Sequence, residues 1–173
     1  LLAQRQKETP AERQKRLDRR AKRKQEEQAA IEDMFRLLEF TMVGRDAIGG
    51  HPVIVVAFQP RRGVKPQTDS GKIVSKVKGR AFVSEREYEV VRIQVEMLED
   101  LSVGLMLGKL YKGTTASFER KKINDEVWLP AEATFKGSGR AIVRKFSIDQ
   151  VVRYSDYKKF SVETDTTFDI PKK

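Results

Sequence analysis

RAFVSEREYEVVRIQVEM, residues Arg80–Met97, decides the fold. In its second half Val91, Ile93, Val95 and Met97 alternate with Arg92, Gln94 and Glu96. Successive side chains of a strand point to opposite faces, so this alternation predicts a half-buried strand over Tyr88–Met97. Arg80–Ser84 reads as its partner, and Glu85, Arg86 and Glu87 as the turn between them.

The same period continues downstream. Leu101–Tyr111 reads as a strand with Val103, Leu105 and Leu107 on one face and Gly104 and Gly108 on the other. Thr114–Ile123 follows, then a tight turn at Asn124-Asp125. In Glu126–Phe135, Val127, Leu129, Ala131, Ala133 and Phe135 share a face and Trp128 lies opposite. Gly137, Ser138 and Gly139 read as a turn into Arg140–Ile148, and a last extended piece runs from Val151 to Phe160. Upstream, Gly49-Gly50 is a turn signal and His51–Phe58 (HPVIVVAF) is apolar on both faces. Pro60–Gly71 reads as a loop and Lys72–Lys78 as a short helix ending at Gly79. Short strands joined by local turns make an antiparallel meander.

In front of this lies a helix over Thr9–Glu39. Thr9, Pro10 and Glu12 supply an N-cap, a first-turn proline and a capping-box carboxylate. Ile31, Met34, Phe35 and Leu38 recur at helical spacing and predict that the last two turns dock on the body. The fold class is thus mainly β with α: a curved sheet or incomplete β-barrel behind one long basic helix. The expected organisation is a helical arm over 1–39, a β domain over 40–163 and a tail over 164–173.

The 173 residues carry a formal net charge of +10. The first thirty hold ten Lys/Arg against five Asp/Glu, so basic character is densest in the helix. Such a charge favours anionic partners. No cysteine is present, which excludes disulfides, thiolate metal sites and cysteine nucleophiles. No apolar run approaches the roughly 20 residues of a membrane-spanning helix. The chain opens without Met inside a charged helical pattern. It reads as a fragment or processed form whose front could have held a targeting segment.

No catalytic motif stands out. His51, the one histidine, has no triad or metal partner at recognisable spacing. The acids Glu85, Glu87, Glu89, Glu96, Glu99 and Asp100 fall at turns and read as solvated charge. The chain is therefore read as non-enzymatic and without cofactor or metal. An anion-binding role through Arg13, Arg16, Arg19, Arg20 and Arg23 is one functional reading. Interspersed acids such as Glu12 and Asp18 give i,i+4 pairs of an ordinary helix surface, and no aromatic residue in this stretch stacks bases.

Several segments resemble a known family. GRAFVSE (79–85) with YEVVR (88–92), and NDEVWLP (124–130), are similar to strand motifs of the LolA/LolB-like lipoprotein-sorting superfamily. YSDYKKF (154–160) is similar to the final strand of related bacterial envelope proteins. The resemblance runs from about Phe40 to Phe160. It implies an incomplete barrel closed by helices over an apolar cavity, located in the periplasm or cell envelope, that binds acyl chains or lipidated proteins without catalysis. The chain departs from the family in holding only the rear strands and no recognisable helical lid, so a second copy, or a missing front, could be needed to complete the cavity. On this reading the concave lining is Val55, Ala57, Phe82, Val91, Ile93, Val95, Val103, Leu105 and Leu107. Nucleic-acid or anionic-surface binding by the arm, and a purely structural module of a larger protein, are the rival readings.

Overall fold

The computed structural model describes residues 9–103 and 108–158. Helix α1 (Pro10–Leu37) starts at Thr9, whose hydroxyl accepts from the Glu12 N–H while Glu12 returns a bond to the Thr9 N–H. It passes directly into β1 (Leu38–Ile48), followed by β2 (His51–Pro60), helix α2 (Asp69–Val74), β3 (Val77–Ser84) and β4 (Val90–Met97). Then come β5 (Leu101–Val103), β6 (Gly108–Leu110), β7 (Thr115–Ile123), β8 (Val127–Ala141) and β9 (Arg144–Arg153). All strand pairs are antiparallel, in the order β1-β2-β3-β4-β7-β8, with β9 on the far edge of β8. The result is an open, mainly-β sheet preceded by one long helix, as the sequence predicts.

Four details differ from the sequence reading. The expected strand Leu101–Tyr111 is two short strands, β5 and β6, and β6 pairs with residues 139–141 of β8. β8 is longer than β7, and the hairpin occupies the edge that β7 leaves unpaired. Gly137 and Gly139 lie inside β8; the reversal is at Ile142-Val143, with Ile142 in the left-handed region at φ 55°. These glycines serve close approach: a Cβ on Gly137 would stand 2.5 Å from the Thr114 side chain, and one on Gly139 2.6 Å from the Phe146 ring. Gly79 likewise lies within β3, and the short helix sits earlier, at Asp69–Val74. The Asn124-Asp125 turn is as expected, with both residues at positive φ as a primed hairpin turn requires.

The root of α1 docks in part as predicted, since Leu38 is buried and Met34 half-buried. Ile31 and Phe35 are exposed, while Asp33 and Leu37 are buried. The Asp33 carboxylate accepts from the N–H groups of Gln67 and Thr68, both at 2.8 Å, from the Thr68 hydroxyl at 2.9 Å, and from Arg36. Thr68 in turn caps α2 through the Gly71 N–H. One buried carboxylate thus ties the long helix to the short one, and Gly71 leaves room for it, since a Cβ there would meet Asp33 Oδ2 at 2.0 Å. Arg61 donates from its backbone to the Leu37 carbonyl and from its side chain to the Leu38 carbonyl, satisfying the helix end.

The sheet bends at one end. His51 on β2 and Trp128 on β8 are four inter-strand steps apart, about 19 Å in a flat sheet. Their ring centroids are 5.3 Å apart. The face on the inside of this bend carries a core of Ile48, Val53, Val55, Phe82, Val91 and Trp128.

Candidate functional site

The pairing registers sort the strand residues into two faces, because residues directly opposite across an antiparallel pair share a face. One row on the outer face reads Met42, Val56, Ala81, Ile93, Phe118, Ala133, Val152 across seven strands. Its neighbour on that face reads Phe40, Phe58, Gly79, Val95, Ala116, Phe135, Gln150. Between them, on the inner face, lies Thr41, Ala57, Arg80, Gln94, Ser117, Thr134, Val151. The outer face is apolar, and away from its core end the inner face is polar.

The inner face holds an open hollow of about 740 Å³. Its walls include Thr41, Gln59, Arg80, Gln94, Ser117 and Thr134. The Ser117 and Thr134 hydroxyls bond each other at 2.7 Å, and Lys78 pairs with Glu96 at 3.1 Å. Ala57, Phe58, Val95 and Ala116 also line the hollow, so the concave side is mixed rather than the wholly apolar surface expected from sequence.

The outer face is covered only near the helices, where Leu38, Phe58 and Met97 are buried. Beyond that end Ile54, Val56, Val83, Ile93, Val95, Phe118 and Phe135 are half-exposed. Met42 (58%) and Val152 (38%), at the two ends of the apolar row, are exposed. Six inter-strand steps make that row about 29 Å long. Isolated surface hydrophobes are ordinary, but a contiguous apolar face of this extent is not.

The predicted lining residues divide among these places. Val55, Phe82 and Val91 fill the inner core, with Val91 fully buried (0%). Ala57 borders the hollow, and Val95 also contributes to its wall. Ile93 and Val95 lie on the outer face. Val103 ends β5, and Leu105 and Leu107 lie outside the described residues. The single concave apolar lining is thus not assembled. The outer face instead brings Ile93 and Val95 together with Ile54, Val56, Val83, Phe118 and Phe135. The set splits because β4 carries a bulge opposite Phe82/Val83, which turns Val91 away from the face of Ile93 and Val95.

Behind the core, the β3–β4 turn is pinned to the β7–β8 hairpin. Glu87 accepts from Ser84, from Lys122 at 2.5 Å and from the Trp128 indole at 3.2 Å. Lys122 also lies over the Trp128 ring. His51 Nε2 stands 3.8 Å from Asp125. The Ser84 hydroxyl is buried and committed to Glu87, so this cluster is organised as a clamp. The lysine, serine and indole bonds hold the Glu87 carboxyl at about 2, below its ordinary 4.5. Burial pushes the Asp33 carboxyl up, but the Gln67 and Thr68 N–H groups, Arg36 and the Thr68 hydroxyl outweigh it and hold it at about 2.

Both carboxyls bind protons more weakly folded than unfolded, so their stabilisation is complete above the ordinary carboxylate range and is lost as pH falls toward 2. Thermal melts taken downward from neutral pH should show a falling midpoint across that window, and Glu87→Gln should flatten the fall. A flat profile in the parent protein would contradict the clamp.

The predicted anion-binding residues all lie on the arm. Arg13, Arg19, Arg20 and Arg23 are exposed and Arg16 is half-buried. Arg23 pairs with Glu27 at 2.9 Å. Among the described residues no three His, Asp or Glu side chains group to hold a metal, and no helix is long and apolar enough to cross a membrane. No family model, curated protein or solved structure matches the chain.

Proposed function

We propose that this chain is a non-enzymatic envelope module that holds an acyl chain, free or attached to a protein, against the outer face of its sheet. The observation that supports this reading is the uninterrupted apolar row from Met42 through Ile93 and Phe118 to Val152, which neither helix covers. The motif resemblance to lipoprotein-sorting proteins points to the same ligand class. Binding would draw on apolar burial of about 0.8 kcal/mol per methylene, and the site needs no cofactor.

The test is titration of the delipidated protein with a fluorescent fatty acid and with an acylated peptide. Ile93→Glu places a carboxylate in the middle of the apolar row, where an acyl chain would bury it unpaired. It should weaken binding about tenfold or more. Gln94→Glu, one residue on and facing the hollow, should leave affinity unchanged. No measurable affinity in the parent protein, or equal loss in both variants, would refute the reading.

A further inference from the structure

One side of α1 is cationic toward its tip and apolar toward its root. Steps of three and four residues place Arg13, Leu17, Arg20, Lys24, Gln28, Ile31 and Phe35 in one line. That line is about 33 Å long at 1.5 Å per residue. Arg13, Arg20 and Lys24 are exposed and have no ion-pair partner among the described residues. Glu27, beside the line, is held by Arg23. Ile31 (48%) and Phe35 (59%) are exposed although they sit where the helix meets the body. The Phe35 ring lies 5.6 Å from that of Phe40, and the exposed Phe40, Met42 and Val43 carry the apolar patch onto β1.

We propose that this surface docks the protein on an anionic lipid bilayer. Arg13, Arg20 and Lys24 would contact the headgroups, and Ile31, Phe35 and Phe40 would enter the boundary with the acyl chains. A bilayer that is negatively charged at its surface and apolar just beneath accepts both halves of the line. A nucleic acid would engage the cations but leave Ile31, Phe35 and Phe40 in water, and no aromatic residue lies between the arginines to stack on a base. Phe40 and Met42 also belong to the outer sheet face, but Arg13, Arg20, Lys24, Ile31 and Phe35 lie on the arm alone, and the variants below change only those.

The experiment is flotation of the full chain with phosphatidylcholine vesicles, with and without phosphatidylglycerol. The protein should float only with the anionic vesicles, and added salt should release it. A triple variant, Arg13→Gln/Arg20→Gln/Lys24→Gln, should lower partitioning about a hundredfold, since each cation near an anionic surface contributes about fivefold. Ile31→Ser/Phe35→Ser should lower it more than about tenfold, through lost apolar burial. All of these side chains are exposed, so the variants should fold, which circular dichroism checks. Flotation without phosphatidylglycerol, no flotation with either vesicle, or an unchanged Ile31→Ser/Phe35→Ser variant would overturn the proposal. Tight binding of a duplex oligonucleotide that the serine substitutions leave intact, without flotation, would assign the stripe to nucleic acid instead.

Discussion

Trp128→Ala is expected to lower the free energy of unfolding by about 3–5 kcal/mol, the loss typical of truncating a buried large aromatic. Trp128 is 2% exposed and joins strands that a flat sheet would keep far apart. Its ring packs with Ile48, Val53, Val55, Phe82 and Val91, and its indole N–H donates to Glu87. Removing it leaves a cavity at the bend and exposes the Lys122–Glu87 pair to water. Trp128→Phe retains most of the apolar body and gives up the indole bond, a loss of about 1 kcal/mol from that bond. Denaturant unfolding of the two variants separates the terms. An alanine variant that loses less than the phenylalanine variant would mean that the bend is held by something else.

Gly79→Ala should lower stability by about 3 kcal/mol, at the upper end of what one extra methyl does in a packed site. Its Cβ would stand 2.1 Å from the Gln94 carbonyl oxygen and 2.5 Å from the Phe58 ring. The phenyl ring can move, but the carbonyl belongs to the β3–β4 ladder and moves only with the sheet. Pairing the change with Phe58→Leu should therefore recover only part of the loss. Gly113→Ala is the control: nothing lies within 4 Å of the added Cβ, and only the residue's φ of +80° opposes it. Its loss of about 1–2 kcal/mol reflects the left-handed backbone alone. Equal stability of the Gly79 and Gly113 variants, measured by chemical denaturation, would show that the close approach at Gly79 is relieved.

The strands were legible because apolar residues alternate along the sequence at Val91, Ile93, Val95 and Met97 and again from Val127 to Phe135. The cap of α1 was legible because Thr9, Pro10 and Glu12 act over one turn. What the sequence hid depends on partners far along the chain. Gly79, Gly137 and Gly139 look like turn residues; only the register shows Phe58, Thr114 and Phe146 lying against them. Register shifts beside Val43, Val91 and Ala131 change which face follows, so counting by twos merged Val91 with Ile93 although they belong to opposite faces. The hollow was missed for a related reason. Thr41, Arg80, Gln94, Ser117 and Thr134 are unremarkable in their own strands and form a row only once strand order is known. Of the apolar stripe read on α1, Leu38 is buried and Met34 half-buried, but Ile31 and Phe35 are exposed and burial falls on Asp33 and Leu37 instead, because a hydrogen-bonded carboxylate makes the contact that Ile31 and Phe35 were expected to make.

The central claim concerns a face, and a photoactivatable fatty acid tests it most directly. After irradiation and proteolysis, the labels should fall on β2, β3, β4 and β7 at outer-face positions such as Val56, Val83, Ile93 and Phe118, and excess unlabelled fatty acid should remove them. Labels at Arg80, Gln94 or Ser117 in the hollow, or none that compete, would contradict the account.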